Sequence, residues 1–371
     1  MLSPAKSGAF SFGLTDSESA MPGNLIYDTN TIVHVVQNLK NAQSFLLDRY
    51  FGNMVVSDSE YVSIDIDVGK RRMSPFVSPL VEGKLVESRR YQTNTFKPAY
   101  IKDKRAPDLR KPVRRMIGER IGGDISPEER EMMNLEFEIA DQIDMLTRRM
   151  EWMAAQALTT GTVTIVGDGF PTALVDFGRS ASQTVALSGS AQWTAANIAA
   201  GTASPTANIE TWQTAILKNS GAVVTDIIFS PSAWAQFKND PVLKGAILYP
   251  TLGENGNTVN PGAQIDRGGL HKGRWGNYDL WVYNDWFVDD NNVEQPMIPA
   301  GSVIMSGPAL EGLRAFAQII DPEFNYASMP FAPKTWLNPD PAQRFLMMQS
   351  APLVIPSRVN ASFSANVTGG V

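Results

Sequence analysis

Between Met132 and Ala157 the chain places a large or small apolar residue at every third or fourth position. The series is Met132, Leu135, Ile139, Ile143, Leu146, Met150, Met153 and Ala157. Gaps of three and four keep all of these on one face of a 3.6-residue helix. Such a stripe fits one long α-helix laid along a core. Ser126 suits the cap, Pro127 the first helical position, and Glu129 completes a capping box. A helix from Ser126 to Leu158 would span about 50 Å at roughly 1.5 Å per residue. Gly161 ends it, and Thr162 to Val166 reads as a strand.

Charge reverses across the start of this helix. Residues 70–120 hold fifteen Lys/Arg against five Asp/Glu, whereas residues 121–160 hold nine Asp/Glu against three Arg. The basic stretch reads as extended, turn-rich β structure with little core of its own. A two-stranded ribbon of that kind is marginal alone, and its edges are open to pairing. The acidic helix exists in every copy of the chain, so the pattern points to a protein that pairs with its own neighbours. Such complementarity sets register and association rate more than affinity.

A length of 371 residues allows two domains and a sizeable core, and 43% apolar with 19% charged residues indicates a globular chain. The net charge is −6 and the excess of acid lies outside the basic stretch. That argues against a general nucleic-acid binder, which needs clustered positive charge over much of its surface. With no cysteine there is no disulfide, thiolate metal site or Cys nucleophile. Residues 1–24 are Ser/Gly/Ala-rich and read as an arm, not a signal peptide. Residues 180–209 carry no charge, but Ser, Thr, Asn and Gln make them a poor membrane span.

Elsewhere the pattern is mixed. Asn38 to Tyr50 reads as a short helix, and alternation from Tyr61 to Gly69 as a half-buried strand. Turn signals at Ser74-Pro75, Ser78-Pro79, Glu82-Gly83 and Lys97-Pro98 separate short β-prone pieces, Lys84 to Ser88 and Tyr91 to Phe96. Further helices are expected at Ile209 to Lys218 and Ser232 to Lys238. Strands are expected at Asp226–Phe229, Tyr278–Tyr283, Ser302–Met305, Leu313–Ile320, Phe345–Gln349 and Leu353–Ile355. Asp289 to Asn292 reads as a hairpin turn. Residues 321–341, with five prolines, read as an ordered loop.

Catalytic chemistry finds little support. His34 lies between two valines and suits a structural role. His271, within Gly268-Gly269-Leu270-His271-Lys272-Gly273-Arg274, reads as part of a surface loop, because the glycine spacing fits no phosphate-binding fingerprint. Asp65 and Asp67 share a strand face, with no further ligand cluster nearby. Trp275, Trp281 and Trp286 suit core or interface packing. No cofactor and no metal is expected, and the chain reads as no enzyme.

Three runs resemble one family. The first comprises Phe76-Val77-Ser78-Pro79-Leu80-Val81-Glu82-Gly83, Ser88-Arg89 and Phe96-Lys97-Pro98-Ala99-Tyr100-Ile101-Lys102. The second is Val175-Asp176-Phe177-Gly178-Arg179-Ser180. The third comprises Pro333-Lys334-Thr335-Trp336, Asp340-Pro341-Ala342 and Gln349-Ser350-Ala351-Pro352-Leu353. In this order they resemble major capsid proteins of lambda-like tailed bacteriophages. The resemblance implies an α+β fold of the Hong Kong 97 capsid type. Residues 1–57 would form an N-terminal arm and residues 58–118 an extended β-hairpin loop. Residues 119–178 and 312–350 would form a peripheral domain holding the spine helix, 126–158. Residues 179–311 and 351–371 would form an axial domain.

The implied function is structural: self-assembly into an icosahedral head that encloses a double-stranded DNA genome. The implied partners are further copies of the chain, as pentamers and hexamers, with separate scaffolding, portal and decoration proteins. Assembly would take place in the host cytoplasm and involve no membrane. Inter-subunit contacts would use the basic residues Arg71, Arg72, Arg89, Arg90, Lys102, Lys104, Arg105, Arg114 and Arg115. They would face an acidic helix side of Glu128, Glu131, Glu138 and Asp141. Phe324, Tyr326, Phe331 and Trp336 would reach neighbours at local three-fold axes. A cellular nanocompartment shell is the nearest alternative reading, and a mixed α/β enzyme a more distant one.

Overall fold

A computed structural model describes residues 44–68, 73–86, 88, 90–108, 126–167, 169–248, 258–266, 268–289, 291–340 and 342–369. Its organising element is the helix Pro127–Thr159. Both halves of the capping box form: the Glu129 amide donates to Ser126 Oγ at 3.2 Å, and the Ser126 amide donates to Glu129 Oε2 at 2.8 Å. Of the apolar stripe, Leu135 through Ala157 are buried and only Met132, in the second turn, is half-exposed. At the other end Gly161 takes a φ of +76°, the left-handed conformation that suits glycine. The Arg179 guanidinium fills the space beside it and donates to the carbonyls of Ala157 and Leu158 at 2.9 Å. A cation there meets the negative end of the helix dipole. Burial lowers the Arg179 pKa to about 10.

The helix bridges two bodies. Leu135, Ile139 and Ile143 pack on Leu346 and Met348, within a three-stranded antiparallel sheet of Ala332–Pro339, Ala342–Ser350 and Ile101–Arg105. From Leu146 onward the helix joins the main core, where Leu353, Val354 and Ile355 contribute. That core backs a seven-stranded mixed sheet. Its order is Thr184–Ala186, Phe363–Asn366, Ser302–Ser306, Asp226–Phe229, Tyr278–Tyr283, Gly269–Trp275 and Thr258–Asp266. Helices Pro205–Asn219 and Pro231–Phe237 flank it, and Trp193, Trp212, Phe237 and Phe363 form a continuous aromatic stack. A smaller sheet places Asn53–Val56 parallel to Gly312–Phe316, which pairs in turn with Pro352–Pro356.

Several sequence expectations change. His271 lies in the strand Gly269–Trp275, not in a surface loop, and its ring meets Trp281 at 4.6 Å. The glycines serve that strand: Gly273 has a φ of +120° at a register shift, and a Cβ on Gly269 would stand 2.5 Å from the Phe45 ring. Residues 321–331 are a loop with one 3-10 turn, Pro322–Phe324, but Ala332–Pro339 is a strand. It is the outer strand of its sheet, where Pro333 and Pro339 remove no needed donor. Lys84–Val86 form no strand, and no described strand pairs with them. The strand expected to reach Ile320 ends at Phe316. The helix expected from Ile209 starts a turn earlier, with Pro205 in its first turn. Phe45–Tyr50 is helical as expected, while Asn38 to Gln43, His34 and the arm 1–24 lie outside the described residues. Trp281 is buried, whereas Trp286 is 52% exposed. No helix among the described residues is long and apolar enough to cross a membrane.

Candidate assembly surface

The basic stretch divides into two parts. Its first part is a ribbon: Val62–Val68 runs antiparallel to Arg90–Phe96, with Val62 opposite Phe96 at the base and Val68 opposite Arg90 at the far end. The base is anchored, since Val62 and Phe96 are buried and Phe96 meets Phe177 edge-on at 5.5 Å. Lys97 pairs with Glu60 at 2.5 Å beside it. Beyond Val68 and Arg90 the described chain makes no strand, and Met73, Phe76, Leu80, Val81 and Leu85 stand in solvent. Phe76 is 105% exposed and Leu80 96%. An apolar patch of this kind on a well-packed subunit marks an interaction site.

Sequence reasoning passed over this patch. The run Phe76 to Val81 resembles a family motif, and the arginines around it mask its hydrophobicity in composition. The alternation that reveals a buried face is absent, and no described residue buries this run.

The second part of the basic stretch is built into the subunit. Ile101–Arg105 pairs with Leu346–Ser350, which places it beside the long helix. Arg105 turns to that helix and donates to Glu138 at 3.0 Å, with Asp141 at 2.6 Å and Asp103 at 3.2 Å. The acidic helix side therefore meets the basic stretch within one chain at this residue. Lys102 and Lys104 point to the other face of the sheet. Lys104 Nζ stands 4.1 Å from the Phe345 centroid and 5.3 Å from that of Trp336, and Lys102 Nζ 5.1 Å from that of Tyr100.

On the helix, Glu128 is exposed in the first turn and Glu131 is half-buried. Arg90 lies on the ribbon backbone. Arg71, Arg72, Arg89, Arg114 and Arg115 lie outside the described residues.

The four aromatic residues expected at three-fold axes have different surroundings. Phe324 is buried with Ile319 and Ala332. Phe331 packs half-buried against Leu135, Ile139 and Leu346. Trp336 stacks on Phe345 at 5.4 Å. Tyr326 alone is largely exposed, with a φ of +57°. Asp321 pins the loop that carries it, accepting from Lys334 at 2.8 Å and Gln349 at 2.9 Å. Those donors hold the Asp321 pKa below its ordinary value, outweighing burial, which acts the other way.

The joint between the bodies is the short helix Phe45–Tyr50. Phe45 stacks on Trp281 and Tyr283 at 5.1 and 5.6 Å. The Leu46 and Leu47 amides donate to Glu151 at 2.9 and 2.8 Å, and Tyr283 Oη donates to it at 2.7 Å. Asp48 pairs with Arg314 at 2.6 Å, and Arg49 with Asp226 at 2.5 Å. Burial raises the Glu151 pKa to about 7, and the three donors pull against that rise.

Comparison with known proteins agrees with this architecture. Residues 28–367 match the family model for phage major capsid protein E. The major capsid protein of Escherichia phage N15 is 27% identical over 334 residues, which is 89% of this chain and 96% of the relative. That of Escherichia phage lambda is 28% identical over 324 residues, covering 85% and 93%. In fold, the chain resembles a crystal structure described as a prophage capsid protein of E. coli CFT073. Its TM-score is 0.68 at 18% identity, covering 91% of this chain and 98% of that one. The mixed α+β fold with its long helix matches the Hong Kong 97-type capsid fold. The chain belongs to the phage major capsid protein E family, a non-enzymatic family whose members form the shell of the phage head.

Proposed function

We propose that the subunits assemble as pentamers and hexamers of an icosahedral shell around double-stranded DNA, with each ribbon laid over the next subunit. The observation that carries this reading is the ribbon tip, whose Phe76, Leu80 and Leu85 are left exposed by the described residues of their own subunit. The ribbon leaves the body at Val62 and Phe96 and ends in apolar residues at its far end, as an element bound by a neighbour would.

In this reading residues 1–57 serve as the arm. Residues 126–158 are the spine helix of a peripheral domain built from 119–178 and 312–350, and residues 179–311 and 351–371 form the axial domain. The extended loop, 58–118 by sequence, narrows to the ribbon that ends near Phe96. Support for the narrower limit comes from Ile101–Arg105, which pairs with Ala342–Ser350 of the peripheral part. The arginines around the tip, Arg71, Arg72, Arg89 and Arg90, and Arg114 and Arg115 beyond it, steer it to acidic surface on the neighbour. Small changes in that docking let one chain occupy two kinds of ring. Separate scaffolding, portal and decoration proteins complete the head, and the acidic body keeps packaged DNA from adhering to the wall.

Reversing Arg89, Arg90, Arg114 and Arg115 to Glu tests the steering. Gel filtration and negative-stain microscopy should show folded subunits that no longer form megadalton particles. Shells of ordinary yield would remove the basic residues from the docking.

A further inference from the structure

One loop is fastened to both sides of the ribbon's base. On the outgoing side, the Ser57 amide donates to the Phe316 carbonyl at 2.8 Å, and the Gln318 amide donates to the Ser59 carbonyl at 3.3 Å. Ser328 Oγ donates to the Ser57 carbonyl at 2.5 Å. On the returning side, the Ile320 amide donates to Tyr100 Oη at 3.1 Å, and Tyr100 packs against the cluster of Ile319, Phe324 and Ala332. Ser57 and Ser59 precede the first ribbon strand, and Tyr100 follows the second. Gln318 and Ser328 bridge to one another, so the loop between them is gripped by both roots of an element that leaves the body.

The gripped loop holds two successive residues in the left-handed region, Asn325 at a φ of +52° and Tyr326 at +57°. Asparagine tolerates that backbone, whereas a bulky aromatic residue seldom adopts it. Such a conformation persists only where its surroundings over-determine it. The surroundings here have two origins. Lys334 and Gln349, which hold Asp321, belong to the three-stranded sheet and stay with the body. Ser57, Ser59 and Tyr100 belong to the ribbon roots. The ribbon rests on the body through Val62 and Phe96. It extends roughly 20 Å beyond them, a lever whose short arm is the pair of roots.

We propose that the two ribbon roots clamp the loop 317–328 in its strained form, so that the angle of the ribbon sets the position of the exposed Tyr326. A ribbon that swings carries the Ser57 and Ser59 carbonyls and Tyr100 Oη with it. The loop relaxes as those contacts break and is strained again as they re-form. Ribbon and loop are thereby coupled in both directions, because linkage is reciprocal. The coupling belongs to the single subunit and does not depend on what the ribbon docks against.

Hydrogen exchange of the intact subunit tests the clamp, with the strand Ser302–Ser306 of the seven-stranded sheet as internal reference. Tyr100→Phe removes the acceptor of the Ile320 amide. The Tyr326 and Ala327 amides donate elsewhere, to the Asp321 and Phe324 carbonyls. Their exchange should nevertheless rise about tenfold, a coupling of ordinary size. Ser328→Ala acts from the loop side, and exchange along Val62–Val68 and Arg90–Phe96 should rise by about the same factor. Acceleration confined in each variant to the residues beside the substitution would overturn the proposal. A substitution that loosens the whole subunit shows itself at Ser302–Ser306. The ratio of rates at the distant site and the reference strand then decides: a raised ratio supports the clamp, and a ratio equal to that of the parent chain overturns it.

Discussion

Two segments within forty residues of one another obey opposite rules. The helix Phe45–Tyr50 is complete inside its subunit: its apolar side chains are buried and both of its ionic residues are paired. The ribbon tip 73–86 has almost every described side chain in solvent. Both are rich in large apolar residues, so composition does not separate them. Placement does, because the first segment lies where two sheets and the long helix converge, and the second lies beyond all of them. One segment makes the subunit rigid alone, and the other is held in solvent.

Substitutions can sharpen that contrast. Phe51→Ala, next to the joint, removes a fully buried ring on which the Gly312 backbone lies. It should cost about 3–5 kcal/mol of subunit stability in denaturant unfolding. A cost below about 1 kcal/mol would mean that the joint is not the structural centre of the subunit.

Glu151 gives the joint a pH signature. Its folded pKa, about 7, lies above the ordinary carboxylate value because the group is buried. The stabilisation from a bound proton is full below about pH 4.5 and lost as pH rises through about 7. Over that window subunit stability should fall by a few kcal/mol, on the order of 1.4 per pKa unit of difference. Glu151→Gln should flatten the slope, and an unchanged slope would assign it to another group.

Ser126→Ala removes the hydroxyl half of the capping box and should cost about 1 kcal/mol, read as a shift in unfolding midpoint. The smallest effect on the subunit belongs to the tip. Phe76→Ser with Leu80→Ser and Leu85→Ser should change subunit stability by no more than about 0.5 kcal/mol, yet abolish shells in negative stain. A large loss of subunit stability would mean that the tip packs within its own chain, and the contrast drawn above would fail.

Much of the fold was legible where local chemistry and periodicity agree. The long helix, its cap and its terminating glycine follow from residues 126–161, and Asp226–Phe229 and Tyr278–Tyr283 stand out as buried strands. The misreadings share one cause. Gly269 and Gly273 resemble loop glycines until Phe45 is seen lying on the first and a register shift at the second. Pro333 and Pro339 resemble loop prolines until the strand proves to be an outer one. Arg105 was indistinguishable from the ribbon arginines, because no count of charges shows which of them folds back onto Glu138 and Asp141.

The sequence alone determined the long amphipathic helix, the basic ribbon before it and the likeness to a capsid family. Each is a local pattern or an ordered set of motifs, and each survives without knowledge of what lies nearby. Tertiary structure decided which charges are satisfied within the subunit and which apolar residues remain outside. Those are properties of distance between residues far apart in the chain. Arg105 and Leu80 carry equally plain signals in sequence, and only the fold turns one inward and leaves the other in solvent.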